Sequence, residues 1–177
     1  YSVINPLSTL VQEIASSLEV EGASQAEKDA AKAAAEASLT DSLGISLVAG
    51  SSLGSYDPQS DDNVANRVVA TQIATVLAVA SSTESAGAET AALASLADTI
   101  AQAEGSVILD KATLDDALND VVDSDSLETI VTAVEAMEAV KNSQDDADFD
   151  LNIAIEEIVL AQAIAIDHVA PKPPVPA

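Results

Sequence analysis

Apolar residues recur along this chain at helical spacing, with almost none of the strict alternation that marks a half-buried strand. Asn5 followed by Pro6 reads as a cap and a first-turn proline. Leu7, Leu10, Val11, Ile14 and Leu18 then share one helical face, and Gly22 breaks the helix. Ser24 with Glu27 forms a capping-box pattern, and an alanine-rich helix runs from there to about Leu43, closed by Gly44. Its alanines permit close approach but bury little area. Residues 45–61, ISLVAGSSLGSYDPQSD, form the longest irregular stretch, with glycines and an Asp57-Pro58 step as turn chemistry.

A third helix is expected from near Asp62 to about Ala80, with Val64, Val68, Val69, Ile73, Val76 and Leu77 as its stripe. SSTESAG connects it to a fourth helix bearing Leu93, Leu96 and Ile100, stopped by Gly105. Thr113 with Asp116 is read as opening a short helix that carries Leu114, Leu118, Val121 and Val122. Asp125 with Glu128 is read as opening the next, with Leu127, Ile130, Val131, Val134 and Met137 buried. The last helix is expected from about Asp148 to His168. It is apolar nearly all round from Ile153 to Ile166, interrupted by Glu156, Glu157 and Gln162. A helix apolar on every side is usually enclosed by others. The pattern therefore predicts an all-α bundle of about six to seven helices, with the C-terminal helix near its centre. One helical domain over residues 1–168 is expected, with residues 169–177, VAPKPPVPA, as a proline-rich linker to a following domain. No repeat of solenoid period is evident.

Composition narrows the functions. Of 177 residues, 48% are apolar, which fits a folded domain rather than an acidic tail. That apolar content is Ala, Val, Leu and Ile, with one Phe, two Tyr, one Met and no Trp. Such a core suits close helix packing and is poor material for an aromatic binding platform. Thirty acidic residues against six basic ones give a net charge of −24. That balance disfavours nucleic acid and anionic membrane surfaces, both of which are bound through basic residues. It leaves two readings: a solvated acidic surface, or divalent cation binding. The absence of cysteine excludes disulfides, thiolate metal sites and thiol catalysis. No signal peptide is seen, and the proline-rich end together with the start at YSVINP reads as a module cut from a longer polypeptide. No membrane insertion is expected, because the most apolar run, Ile158 to Ile166, is too short.

Two acidic clusters are candidate calcium ligands. In DDADFDLNIAIEE, Asp146, Asp148, Asp150 and Glu157 occupy the first, third, fifth and twelfth places of an EF-hand loop, with Asn152 at the seventh. Leu151 stands where that loop needs glycine, and it also belongs to the stripe Leu151, Ile155, Ile158 and Val159. The simpler account is that these aspartates cap the last helix. The second cluster, SYDPQSDDN, offers Asp57, Asp61 and Asp62 in the longest loop, with helix capping and a turn as the simpler account. DSDSLE at 123–128 reads as a helix start. Catalysis has little to stand on. His168, the lone histidine, sits at the end of the last helix, where contact with terminal carbonyls or water is the plain reading. No second histidine supports a Ser-His-Asp set, and LVAGSSLGS lacks the lysine and spacing of a phosphate loop.

Three stretches carry a resemblance: INPLSTLV at 4–11, SLGISLVAGSSLGSYDP at 42–58 and IDHVAPKPP at 166–174. In their order along the chain they resemble helical modules of very large secreted bacterial surface proteins, the RTX-type adhesins and their Ig-like-repeat relatives. Lys172 interrupts the alanine-proline joint of those modules, and no Ig-like strand follows it here. The resemblance implies a secreted or cell-surface, calcium-rich setting, with neighbouring domains of the same chain and a protein or cell-surface ligand as partners. The expected function is a non-enzymatic structural or interaction module, an adhesin-like spacer stabilised by Ca2+. The alternatives are a calcium-responsive ligand-binding module and an intracellular acidic helical scaffold.

Overall fold

The computed structural model describes residues 5–58, 63–83, 87–103 and 105–169. Seven α-helices follow one another there: α1 (Pro6–Leu18), α2 (Gln25–Leu43), α3 (Val64–Ser82), α4 (Ala88–Gln102), α5 (Lys111–Leu118), α6 (Ser124–Asn142) and α7 (Leu151–Val169). A single 3-10 turn, Leu53–Ser55, interrupts the long α2–α3 connection, and no strand occurs among the described residues.

The helix starts follow capping chemistry. The Asn5 side chain accepts from the backbone N–H groups of Leu7 and Ser8. Ser24 and Glu27 make both halves of the capping box. Gly44 closes α2 at φ +63°, a left-handed conformation that a side chain would resist. Two starts differ from expectation. Asp110 caps α5 by accepting from the Thr113 N–H, and Asp123 caps α6 by accepting from the Ser126 N–H. The Thr113–Asp116 and Asp125–Glu128 pairs match the pattern of a cap and its third helical residue, but a better acceptor stands two or three residues upstream of each. Asp150, two residues after the expected start of the last helix, is the residue whose carboxylate accepts from Asn152 N–H at 2.8 Å.

One continuous core draws on all seven helices. α3 is its central element. It packs against α1, α4, α6 and α7. Val68, Val69, Ala70, Ile73, Val76, Val79 and Ala80 are all buried, and so are the polar Asn66, Gln72 and Thr75. Among the described residues α3 is also the helix long and apolar enough to cross a bilayer, but 67% of its apolar stretch is buried within the bundle. The C-terminal helix, expected near the centre, is α3's direct neighbour but is not enclosed. α7 packs on α3 and α6 through Ala154, Ile158 and Ala165, which recur at helical spacing on one side. The rest of its surface carries Ile153, Leu160 and Ile164 on one flank and Val159 and Ile166 on the other, at exposures of 38–61%. Periodicity measures how apolar a helix is, and the number of neighbours available to cover it is set by the rest of the bundle.

The long α2–α3 connection is tethered by two asparagines. Asn5 Nδ2 donates to the carbonyls of Leu53 and Tyr56, at 2.7 Å each. Asn66, 2% exposed, accepts from the Ser46 N–H at 2.9 Å and donates to the Ser46 carbonyl at 2.8 Å. A side-chain amide presents the same donor and acceptor as a peptide group, so Asn66 pairs with Ser46 much as a strand neighbour would. Leu53, fully buried, anchors the middle of the connection in the core.

Candidate functional site

The acidic clusters are positioned by the ends of helices. Between α6 and α7 the chain turns through 143–150, with the Asp146 N–H donating to the Ser143 carbonyl and the Phe149 N–H to the Asp146 carbonyl. Asp146, Asp148 and Asp150 are exposed. Asp150 is committed to capping α7, and from Leu151 onward the chain is helical. Glu157 therefore lies on the exposed side of α7, about 9 Å along the axis from Leu151 at about 1.5 Å per residue. This stretch does not take the shape of an EF-hand loop, because Leu151 opens a helix where such a loop needs a left-handed turn. Asp57 is exposed just after Tyr56, whose carbonyl Asn5 holds; Asp61 and Asp62 lie outside the described residues. Among the described residues no three His, Asp or Glu side chains gather as a metal-binding group.

Where carboxylates are electrostatically distinguished, helix ends account for it. The Ser24 side chain and then its backbone N–H hydrogen-bond Glu27 and hold that carboxyl below its ordinary value. The backbone N–H and then the hydroxyl of Thr113 do the same for Asp110, and those of Ser126 for Asp123. In each case the charged form is favoured by donors in a first helical turn. Deeper in the bundle, Gln72 of α3 donates to the Val134 carbonyl at 3.2 Å and to Glu138 at 3.4 Å, and Lys141 pairs with Glu138 at 3.0 Å. That polar cluster ties α3 to α6.

His168 has more company than its place at a helix end implies. It is exposed in the last turn of α7, beside the first turns of α6. It borders a hollow of about 270 Å3 with Ser82, Thr83, Asp123, Asp125, Ser126 and Val169. Histidine, serine and aspartate meet there, yet the Ser126 hydroxyl donates to Asp123 at 2.8 Å, so its proton is committed to the cap. Nothing in that arrangement activates Ser126 as a nucleophile.

The larger concavity is a groove of about 430 Å3 between α6 and α7. Its floor is aliphatic: Ala133 and Ala136 of α6, and Ala161, Ile164 and Ala165 of α7. Alanines on both walls create it, since a larger side chain at those places would close the seam. Thr129 and Thr132 line one wall, and Asp125, Glu128 and His168 stand at the end where α6 begins and α7 finishes. Ile164, 61% exposed, joins the groove to the exposed stripe it shares with Ile153 and Leu160 on that flank of α7. Sequence reasoning missed this surface because it assigned those same residues to the core. The available signal was Glu156, Glu157 and Asp167 on the same helix, since charged side chains are rarely enclosed without partners. No family model matches the chain, and no curated protein or solved structure matches it.

Proposed function

We propose that the chain is a non-enzymatic structural and interaction module, an adhesin-like spacer from a large extracellular bacterial surface protein. The observation that carries the non-enzymatic part is the use made of its polar groups. Among the described residues the carboxylates shifted by their surroundings, Glu27, Asp110 and Asp123, all serve helix-capping arrangements, and the Ser126 hydroxyl, which shares a hollow with the lone histidine, is spent on one of them. Perturbed groups in catalytic sites converge on a cleft; here they are distributed to the starts of three helices. The extracellular part rests on the resemblance of 4–11, 42–58 and 166–174 to adhesin modules, and the acidic, cysteine-free composition is compatible with it. Calcium stabilisation belongs to the same reading, with the loop bearing Asp57, Asp61 and Asp62 as its candidate seat. The partners are neighbouring domains of the same polypeptide and a protein ligand. Antibody raised against the purified chain tests this by staining cells of the source organism before and after permeabilisation. Staining of intact cells is expected; staining only after permeabilisation would overturn the extracellular reading in favour of an intracellular acidic scaffold.

A further inference from the structure

Resting on that reading of the chain as an interaction module, we infer that the α6–α7 groove and the adjoining open face of α7 dock a basic amphipathic helix from a partner protein.

Three observations converge on this occupant. The first is shape. Two packed helices with alanines facing across their seam leave a trough that larger aliphatic side chains of a third helix fill, as ridges fill grooves elsewhere in helical proteins. The second is unspent apolar area. Ile153, Leu160 and Ile164, which share one stripe of α7, are each more than half exposed, on a helix that is engaged with α3 and α6 elsewhere. Contiguous exposed apolar side chains rimmed by polar ones mark interaction surfaces. The third is charge, which selects among occupants. Asp125 and Glu128 stand at the end of the groove, and Glu156, Glu157 and Asp167 are exposed on α7, while among the described residues no Lys or Arg lines the groove. A second copy of this chain would bring another −24 charge to the same place, and like charges brought together across an interface are costly. An anionic lipid surface meets the same repulsion. A helix with an aliphatic stripe flanked by lysines or arginines meets both the floor and the rim.

The test titrates the folded chain with a labelled synthetic helix of about 18 residues, roughly five turns and so about as long as α7. Leucines occupy its i, i+3, i+4, i+7 positions and lysines the remainder. Controls are a scrambled peptide of equal composition and a leucine–glutamate counterpart. The expected result is saturable binding of the striped basic peptide, at least about tenfold tighter than either control and weakening as NaCl rises from about 0.05 to 0.5 M. L160S/I164S, on the exposed face, and Ala136→Leu, which fills the groove, should each reduce affinity about tenfold with unchanged helicity by circular dichroism. Equal binding of the scrambled peptide, or unchanged affinity in both variants, would reduce the effect to bulk charge attraction and overturn the proposal. Two further results would also overturn it by naming another occupant: a dimer in sedimentation that L160S/I164S abolishes, or binding to phosphatidylcholine vesicles that the same variant abolishes. None of these outcomes depends on where the cell places the protein, so failure here is separable from failure of the extracellular reading.

Discussion

Asp110 and Asp123 show how this chain uses acidity at the scale of single residues. Each accepts hydrogen bonds from the first turn of the helix it starts, and each is held below its ordinary carboxyl value by those bonds. A carboxyl whose folded value is lowered stabilises the fold when ionised. Its contribution is complete above the unfolded value and is lost as pH falls through the folded one. Asparagine caps a helix about as well as aspartate and does not titrate. D110N/D123N should therefore lose less of its melting midpoint than the parent chain as pH is lowered from about 6 to about 3. The comparison has to be made between the two proteins, because protonating other carboxylates relieves the repulsion of a −24 surface in both. Identical pH profiles would show that neither cap is coupled to folding. The caps at Asn5 and Ser24 were legible from the sequence because each stands directly before a first helical turn. Asp110 and Asp123 were not, because Thr113 and Ser126 stand three residues after them, where the capping-box pattern looks for Glu or Gln.

α7 illustrates what changes at the scale of the element. A run of 19 residues with isoleucine, leucine, valine and alanine on all sides looks like a buried helix by composition. In the bundle it has neighbours on one side only, and its stripes diverge in energetic weight. Ile158 is 1% exposed and Leu160 is 59% exposed, two positions apart on the helix. Ile158→Ala should cost about 2–5 kcal/mol by denaturant unfolding, the usual range for truncating a buried isoleucine. Leu160→Ala should stay within about 0.5 kcal/mol, since it opens no cavity. Comparable losses at both positions would mean that the open face of α7 is covered in solution. The contrast with α3 is instructive. Its stripe of Val64, Val68, Val69, Ile73 and Val76 reads as an ordinary amphipathic face, yet it is the helix enclosed by four others. The buried polar groups Gln72, which stands within that stripe, and Asn66, at its edge, are accommodated by partners from α6 and from the 45–58 loop. Those partners lie 62 and 20 residues away in the chain.

For the whole molecule, net charge and calcium need to be separated. An excess of 24 negative charges on one small bundle repels itself, and salt shortens the reach of that repulsion from about 10 Å at 0.1 M to about 3 Å at 1 M. Thermal unfolding followed by circular dichroism should show the midpoint rising with NaCl for this reason alone. A calcium-stabilised module should show a further rise in millimolar CaCl2 over EDTA with NaCl at matched ionic strength, because a ligand that binds only the folded state stabilises it by mass action. Equal midpoints at matched ionic strength would remove calcium from the proposed function and leave the acidic residues as caps and solvated surface.

Helix number, most helix boundaries and the all-α class were determined by the sequence itself. They depend on local rules: spacing at helical period, a side-chain oxygen before the first turn, and a glycine such as Gly44 after the last. The fact that carboxylates would serve as caps was also local, down to Asp150 at the start of α7. Which helix becomes the centre, which apolar face stays open, and where two helices leave an alanine-lined groove were decided only in the tertiary structure. Those outcomes depend on contacts between residues far apart in the chain, and a helix's composition records its need for cover without recording who supplies it.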